Sequence, residues 1–237
     1  MSIDWEAGES LAQFLELRKS GQLKKPERPK SCLLCGERDC YWVHGNYRRH
    51  LEEGAIAEEI RIPRWKCKWC GGTASIAPQF AVRRRRYTVK VIAAGVEGYG
   101  SKPASYRGEV AKLGEAGPSP AQLFQWVKLV ADRAGGLLFD VQSMCISAGG
   151  EPEALLDAES VACPNSGKAI TPGKPERLNT LAKVLSFARV LFQEGKEFVL
   201  ERLGLRFLRE VQWQIFASQV LRMQTPQSKK PGILKIF

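Results

Sequence analysis

Four cysteines in two like units carry the most definite chemistry of the chain. They are Cys32-Leu33-Leu34-Cys35-Gly36 and Cys67-Lys68-Trp69-Cys70-Gly71, with 31 residues between Cys35 and Cys67. Each Cys-x-x-Cys turn offers two thiolates from one tight loop, and two such turns complete the tetrahedral four-sulfur set that suits Zn2+. The glycine after each pair fits a chain that must fold back on itself, because glycine reaches positive φ without steric cost. The opening Met1-Ser2-Ile3-Asp4-Trp5 lacks the basic and apolar segments of a secretory signal. A reducing cytoplasm is therefore expected, where paired thiols bind metal rather than form disulfides. Zinc on Cys32, Cys35, Cys67 and Cys70 is the expected cofactor. Cys40, Cys145 and Cys163 have no partner unit and read as core or incidental thiols, and His44 and His50 as non-ligands.

A second chemistry lies in the distribution of charge. The 237 residues carry a net charge of +11, which points to an acidic partner, most simply nucleic acid. Residues 61–135 hold 14 Lys and Arg against 4 Asp and Glu, so nearly all of the excess sits in the middle of the chain. Solubility alone would not require that segregation. Within it runs Arg83-Arg84-Arg85-Arg86, suited to contacts with backbone phosphates that position a protein without reading sequence.

Downstream of the arginines, Ser105 to Leu113 reads as a short helix with Tyr106, Val110 and Leu113 on one face. Gly114-Glu115-Ala116-Gly117-Pro118 reads as a turn. A new helix opens at Ser119-Pro120-Ala121-Gln122, with Ser119 as N-cap, Pro120 in the first turn and Gln122 completing a capping box. Leu123, Trp126, Val127 and Val130 form its buried stripe. Two helices joined by a glycine-containing turn make a helix-turn-helix candidate, whose second helix enters the major groove by its N-terminal end. Arg107, Ser119, Ala121, Gln122, Gln125 and Lys128 are then the residues able to reach bases or phosphates, glutamine pairing with adenine and lysine with guanine or phosphate.

The remaining elements must position these two sites. Residues 4–20 place Leu11, Phe14, Leu15 and Leu17 at helical spacing and read as one amphipathic helix ended by Gly21, followed by a polar linker around Pro26 and Pro29. Tyr41 to Tyr47 reads as strand with a bend at Gly45-Asn46, Ile60 to Trp65 as an edge strand, and Thr73 to Ala77 as a third strand. So small a sheet would depend on the metal for much of its folding free energy, making residues 30–80 one metal-dependent unit. Tyr87, Val89, Val91, Ile92 and Val96 begin an apolar helix. Leu137 to Ile146 extends helically, Gly149 to Pro152 breaks the chain, and residues 163–175 are irregular. Gly167-Lys168 lacks the upstream glycine of a phosphate loop, since Ala162 stands in its place. Leu178, Leu181, Val184, Leu185, Ala188, Leu191 and Phe192 form one helical face, and Phe198 to Leu203 and Phe207 to Met223 complete a bundle. Trp213, Phe216, Val220 and Leu221 offer an oligomer or partner surface, and Ser228 to Gly232 a basic tail.

The expected fold is thus mainly α with a small β zinc ribbon. An N-terminal helix and linker (1–29) precede the ribbon (30–80), the helix-turn-helix region (81–135) and a C-terminal helical region (136–237). No apolar run is long enough to cross a membrane.

The first knuckle, Tyr47-Arg48-Arg49, the stretch Ile60-Arg61-Ile62-Pro63-Arg64 leading into Cys67-x-x-Cys70-Gly71-x-Thr73, then Pro78-x-Phe80 and the helix pair together resemble the zinc- and DNA-binding region of bacterial transposase-like proteins. The likeness extends to short proteins that carry this ribbon without a catalytic domain. It covers residues 30–135 and implies that Cys32, Cys35, Cys67 and Cys70 hold zinc and that the helix after Ser119 reads DNA. Full transposases join DNA with three carboxylates holding two metal ions. Asp140, Asp157 and Glu159 have no β framework around them here, so a nuclease is not expected. The expectation is a non-enzymatic, cytoplasmic DNA-binding protein that serves a mobile element, with double-stranded DNA and a recombinase or transposase as partners. Alternatively, the ribbon is structural and the chain is an adaptor that recruits a recombinase or polymerase.

Overall fold

A computed structural model describes residues 2–82, 85–115, 117–147, 161–168 and 172–192, and shows a mixed α and β protein. The expected Gly149–Pro152 break, the helices at Phe198–Leu203 and Phe207–Met223, the surface at Trp213 to Leu221 and the basic tail lie outside the described residues.

A four-stranded sheet is built from β1 (Ser2–Trp5), β2 (Tyr41–Glu53), β3 (Ile56–Cys67) and β4 (Thr73–Pro78), in the order β1-β4-β3-β2. Strand β1 runs parallel to β4, from Ser2 opposite Ser75 to Trp5 opposite Pro78, and the other pairs are antiparallel. The first expectation to be corrected is therefore the helix over residues 4–20. Pairing with β4 draws Ser2–Trp5 into a strand, and Gly8 at φ +98° separates it from the helix. Helix α1 (Leu11–Lys19) begins only at Ser10, whose hydroxyl accepts from the Gln13 amide at 3.2 Å.

The second correction concerns β3, which is internal to the sheet rather than an edge. Pro63 is tolerated there because it faces Asn46 at an irregularity of β2, and the pairing of β3 with β4 starts only at Arg64 opposite Ser75. Strand β2 runs past the expected bend, accommodating it as a register shift between Val43 and Asn46 with Gly45 at φ +92°.

Apolar packing divides into three clusters. Helix α1 lies on one end of the sheet, where Ala7, Leu11, Phe14, Leu51, Ile60, Ile62, Ala77 and Phe80 are buried together. Around the knuckles a smaller core contains Cys32, Cys40, Tyr41, Cys67 and Ala74. The sheet thus has one end with its own apolar core, apart from the four cysteines.

The third and largest cluster gathers α2 (Val89–Ser101), α4 (Pro120–Ala131), α5 (Ala134–Ser147) and α6 (Lys174–Phe192), with the short α3 (Tyr106–Lys112) packed against it through Tyr106 and Val110. Leu178, Leu181, Val184, Leu185 and Ala188 of the expected α6 stripe are buried. Glycines on α2 permit close packing. A methyl on Gly95 would come within 2.9 Å of Leu123, one on Gly100 within 2.8 Å of Leu185, and one on Gly98 would collide with the Glu109 carboxylate. Asn165, wholly buried, fastens the α2–α3 connection. Its side-chain amide donates to the carbonyls of Tyr99 at 2.6 Å and Lys102 at 2.9 Å and accepts from the Ala104 amide at 3.1 Å.

Sheet and helices meet at Glu52. Its amide donates to the Arg86 carbonyl at 2.7 Å and its carbonyl accepts from the Thr88 amide at 3.2 Å. Its carboxylate takes the Arg86 guanidinium at 2.7 Å and His50 at 2.9 Å. Among the described residues, no helix is long and apolar enough to cross a membrane.

Candidate metal centre and nucleic-acid surface

The two knuckles fold alike because their sequences are alike. The Gly36 amide donates to the Cys32 carbonyl at 2.8 Å and the Gly71 amide to the Cys67 carbonyl at 3.2 Å, with both glycines at positive φ, +75° and +70°. A side chain at either glycine would strain the turn that brings its two sulfurs together. In each unit the first cysteine, Cys32 or Cys67, is buried and the second, Cys35 or Cys70, is exposed.

The four Sγ atoms lie within 4.8 Å of one another, with Cys32 to Cys70 at 3.6 Å and Cys35 to Cys67 at 3.8 Å. Tetrahedral Zn–S bonds of about 2.3 Å imply sulfur separations of about 3.8 Å, so the donor set fits a metal ion of that kind. The thiols also compete electrostatically. For Cys32, burial alone would raise the pKa, but hydrogen bonds from the Cys35 and Leu34 amides and the Tyr41 hydroxyl outweigh it and hold the thiol at about 6. For Cys70, the Gly72 amide favours the thiolate, yet burial and the neighbouring thiols of Cys32, Cys35 and Cys67 push it up to about 12. Four thiols crowded in this way resist sharing negative charge, and a bound dication removes that conflict.

Two residues outside the Cys-x-x-Cys units support the centre. The Tyr41 hydroxyl donates to Cys32 Sγ at 3.6 Å, an outer contact of the kind that orients a ligand. Cys40, buried beside the cluster, donates its thiol to the Glu37 carbonyl at 3.2 Å. Neither was singled out as a site residue in the sequence, although their adjacency at the start of a β-strand near the first knuckle is a usable signal. His44 packs edge-to-face on Trp42 and His50 bonds Glu52, and neither joins the metal cluster. Cys163 is buried in the helical core.

The expected DNA contacts are distributed as follows. Arg83 and Arg84 lie outside the described residues. Arg85 is exposed, and its carbonyl accepts from Arg49 at 2.6 Å. Arg86 is exposed but held by Glu52 and stacked over Tyr87 at 5.1 Å, so its charge is already engaged. Arg107 is exposed on α3.

Helix α4 carries the expected capping box. Ser119 Oγ accepts from the Gln122 amide at 3.2 Å, and Gln122 Oε1 accepts from the Ser119 amide at 3.3 Å. Leu123, Trp126, Val127 and Val130 are buried, while Ser119, Ala121, Gln125 and Lys128 are exposed. Gln122 is half-buried and its side-chain oxygen is committed to the cap. Lys128 pairs with Asp132 at 2.6 Å, and the same carboxylate also binds Arg177 of α6.

Residues 32–111 match a family model described as a domain of unknown function, DUF6431. The match runs from Cys32 through β2, β3 and β4, the arginine segment and α2, and ends inside α3, leaving out β1 and α1. Comparisons with curated proteins and with solved structures return no match.

Proposed function

We propose that the chain is a zinc-stabilised protein that binds duplex DNA through α3, the following turn and α4, with the arginine segment as an added phosphate contact. What carries this reading is the outward face of α4. A capped helix N-terminus exposes Ala121, Gln125 and Lys128 opposite a stripe buried against α2, while Arg107 is exposed on the preceding helix. That is the side-chain inventory by which a recognition helix reads base edges and grips phosphate. The four-cysteine centre would fix the sheet to which Arg86 is tied through Glu52. The resemblance to transposase-type proteins suggests service to a mobile element, as an end-binding or regulatory factor rather than as the catalyst.

The test is fluorescence anisotropy with duplex DNA from the flanks of the chain's own gene, against a scrambled duplex, at two salt concentrations. The expected result is a preference of about a thousandfold that survives the higher salt. Gln125→Ala should reduce that preference by about tenfold while leaving the scrambled duplex almost unaffected. Absence of duplex binding would overturn the reading.

A further inference from the structure

The sheet carries a second surface, and the strand register defines it. On one face of β2 and β3, Tyr47, Leu51, Ile60 and Ile62 pack with α1. By the alternation of side chains, the same face of β3 continues beyond Ile62 through Arg64 and Lys66, towards the knuckles. Lys66 is flanked by Trp42 on β2 and Thr73 on β4, and Arg64 by Ser75. There α1 no longer covers the sheet. Trp42 is 45% exposed and meets His44 at 5.5 Å between ring centroids. The second knuckle adds Lys68 and Trp69, the latter 75% exposed.

Arg64, Lys66 and Lys68 put three cations on β3 and the second knuckle, while the acids of this end, Glu37 and Asp39, lie on the first knuckle. No described carboxylate forms an ion pair with Arg64, Lys66 or Lys68. Arg64 instead lies over the Tyr47 ring at 6.0 Å. The acids of the hairpin gather at its other end, where Glu52 takes Arg86 and His50, Glu58 takes Arg18, and Glu59 takes Arg48. Two tryptophans left in water among unpaired cations are costly unless they have an occupant. An apolar protein surface would have to desolvate Arg64 and Lys66, which sit beside Trp42 on one face. Intact duplex would satisfy the cations but leave the indole rings idle, since its bases are stacked inside. Unpaired nucleotides use both, their bases on the rings and their phosphates on the cations.

We propose that the knuckle-side sheet surface of Trp42, His44 and the half-buried Arg64 and Lys66, continued by Lys68 and Trp69 of the adjoining second knuckle, binds single-stranded DNA. The inference rests on the DNA-binding reading and deepens it. The ribbon would hold a melted or unpaired strand, while α4 engages duplex.

The test uses the full, zinc-loaded chain with a fluorescein-labelled oligothymidylate and, separately, the duplex used for α4. Both tryptophans are exposed, so the double variant Trp42→Ala/Trp69→Ala is expected to keep its zinc stoichiometry. That variant should lose about a hundredfold in affinity for the strand and change by no more than about twofold on duplex. Binding of the strand should quench tryptophan emission in the parent protein and not in the variant. Strand affinity unchanged in the variant, equal losses on strand and duplex, or tighter binding of an oligouridylate RNA would each overturn the proposal. A parent that binds duplex but not the strand overturns this inference and leaves the α4 reading standing. Strand binding without duplex binding does the reverse, and binding of neither defeats both.

Discussion

The knuckle end of the sheet and the helical core reach stability by opposite routes. Around the metal centre five residues are buried, and three of them, Cys32, Cys40 and Cys67, are cysteines. Little apolar area supports that end, and the proposed metal–sulfur bonds would supply what the packing does not. The helical core instead buries Leu123, Trp126, Val127, Leu178, Leu181, Val184, Leu185 and Phe187 among many others and involves no metal ligand. The difference teaches which substitutions each region will tolerate. The knuckle end is expected to respond chiefly to changes at its four thiols, and the helical core chiefly to changes in side-chain volume. Glu52 with Arg86, the backbone bridge beside them, and the Val89 amide on the Phe80 carbonyl at 2.9 Å couple the two.

The largest expected effect breaks the comparison on the ribbon side. Structural zinc contributes apparent folding free energies of about 10–16 kcal/mol in small modules. Chelation, or Cys67→Ser, should strip hydrogen-exchange protection from residues 32–45 and 64–74. Protection should persist in α2, α4 and α6, and in the sheet around Leu51, Ile60 and Ile62, which has its own core with α1. Simultaneous loss in the helices would show that the regions form one cooperative unit. The complementary change, Trp126→Ala, removes a ring that is 2% exposed and packs edge-to-face on Tyr87 at 5.3 Å. It should cost about 3–5 kcal/mol by urea unfolding of the helical signal, with the zinc content of the protein unchanged. Loss of zinc in step with the helices would again merge the two regions.

What could be read in the sequence follows the same division between local and distant causes. The capping box at Ser119 and Gln122, the buried stripe of α4 and the glycine turns after Cys35 and Cys70 are fixed by residues within a few positions of one another. All of these were legible. The pairing of Ser2–Trp5 with Ser75–Pro78 joins segments some seventy residues apart in the chain, and nothing local distinguishes Ile3-Asp4-Trp5 from the start of a helix. Asn165 as the clamp on Tyr99 and Lys102 depends on the return of α6 against α2. The internal position of β3 was hidden because Pro63 and alternating arginines describe an edge strand equally well. The clustering of Trp42 with Lys66 and Arg64 appears only once the irregularity at Gly45 has set the register. The chemistry of the metal centre was legible because a repeated short motif carries it, and the open sheet face was not because three strands share it.

Acid offers a finer separation of the two regions. Under the proposed zinc binding the four cysteines act as thiolates, so the metal should leave as protons compete for sulfur. In the helical region the ionic tie is Asp132, which joins Lys128 of α4 to Arg177 of α6. The Lys128 ammonium, with Arg177 beyond it, outweighs burial and holds the Asp132 carboxyl below its ordinary value. A carboxylate whose pKa is lower in the folded than in the unfolded chain contributes stability that is complete above the unfolded value, about 3.9. That contribution is lost as pH falls through the depressed folded value. Helical unfolding by urea should therefore show Asp132→Asn less stable than the parent by about 0.5–1 kcal/mol at neutral pH, since both cations are substantially solvated. The gap should close below the ordinary aspartate range, after the ribbon has already released its metal. A gap that stays constant across that range would mean that Asp132 acts as a neutral hydrogen-bond acceptor. The helices would then hold together without the ionic tie, and only the ribbon would be set by titration.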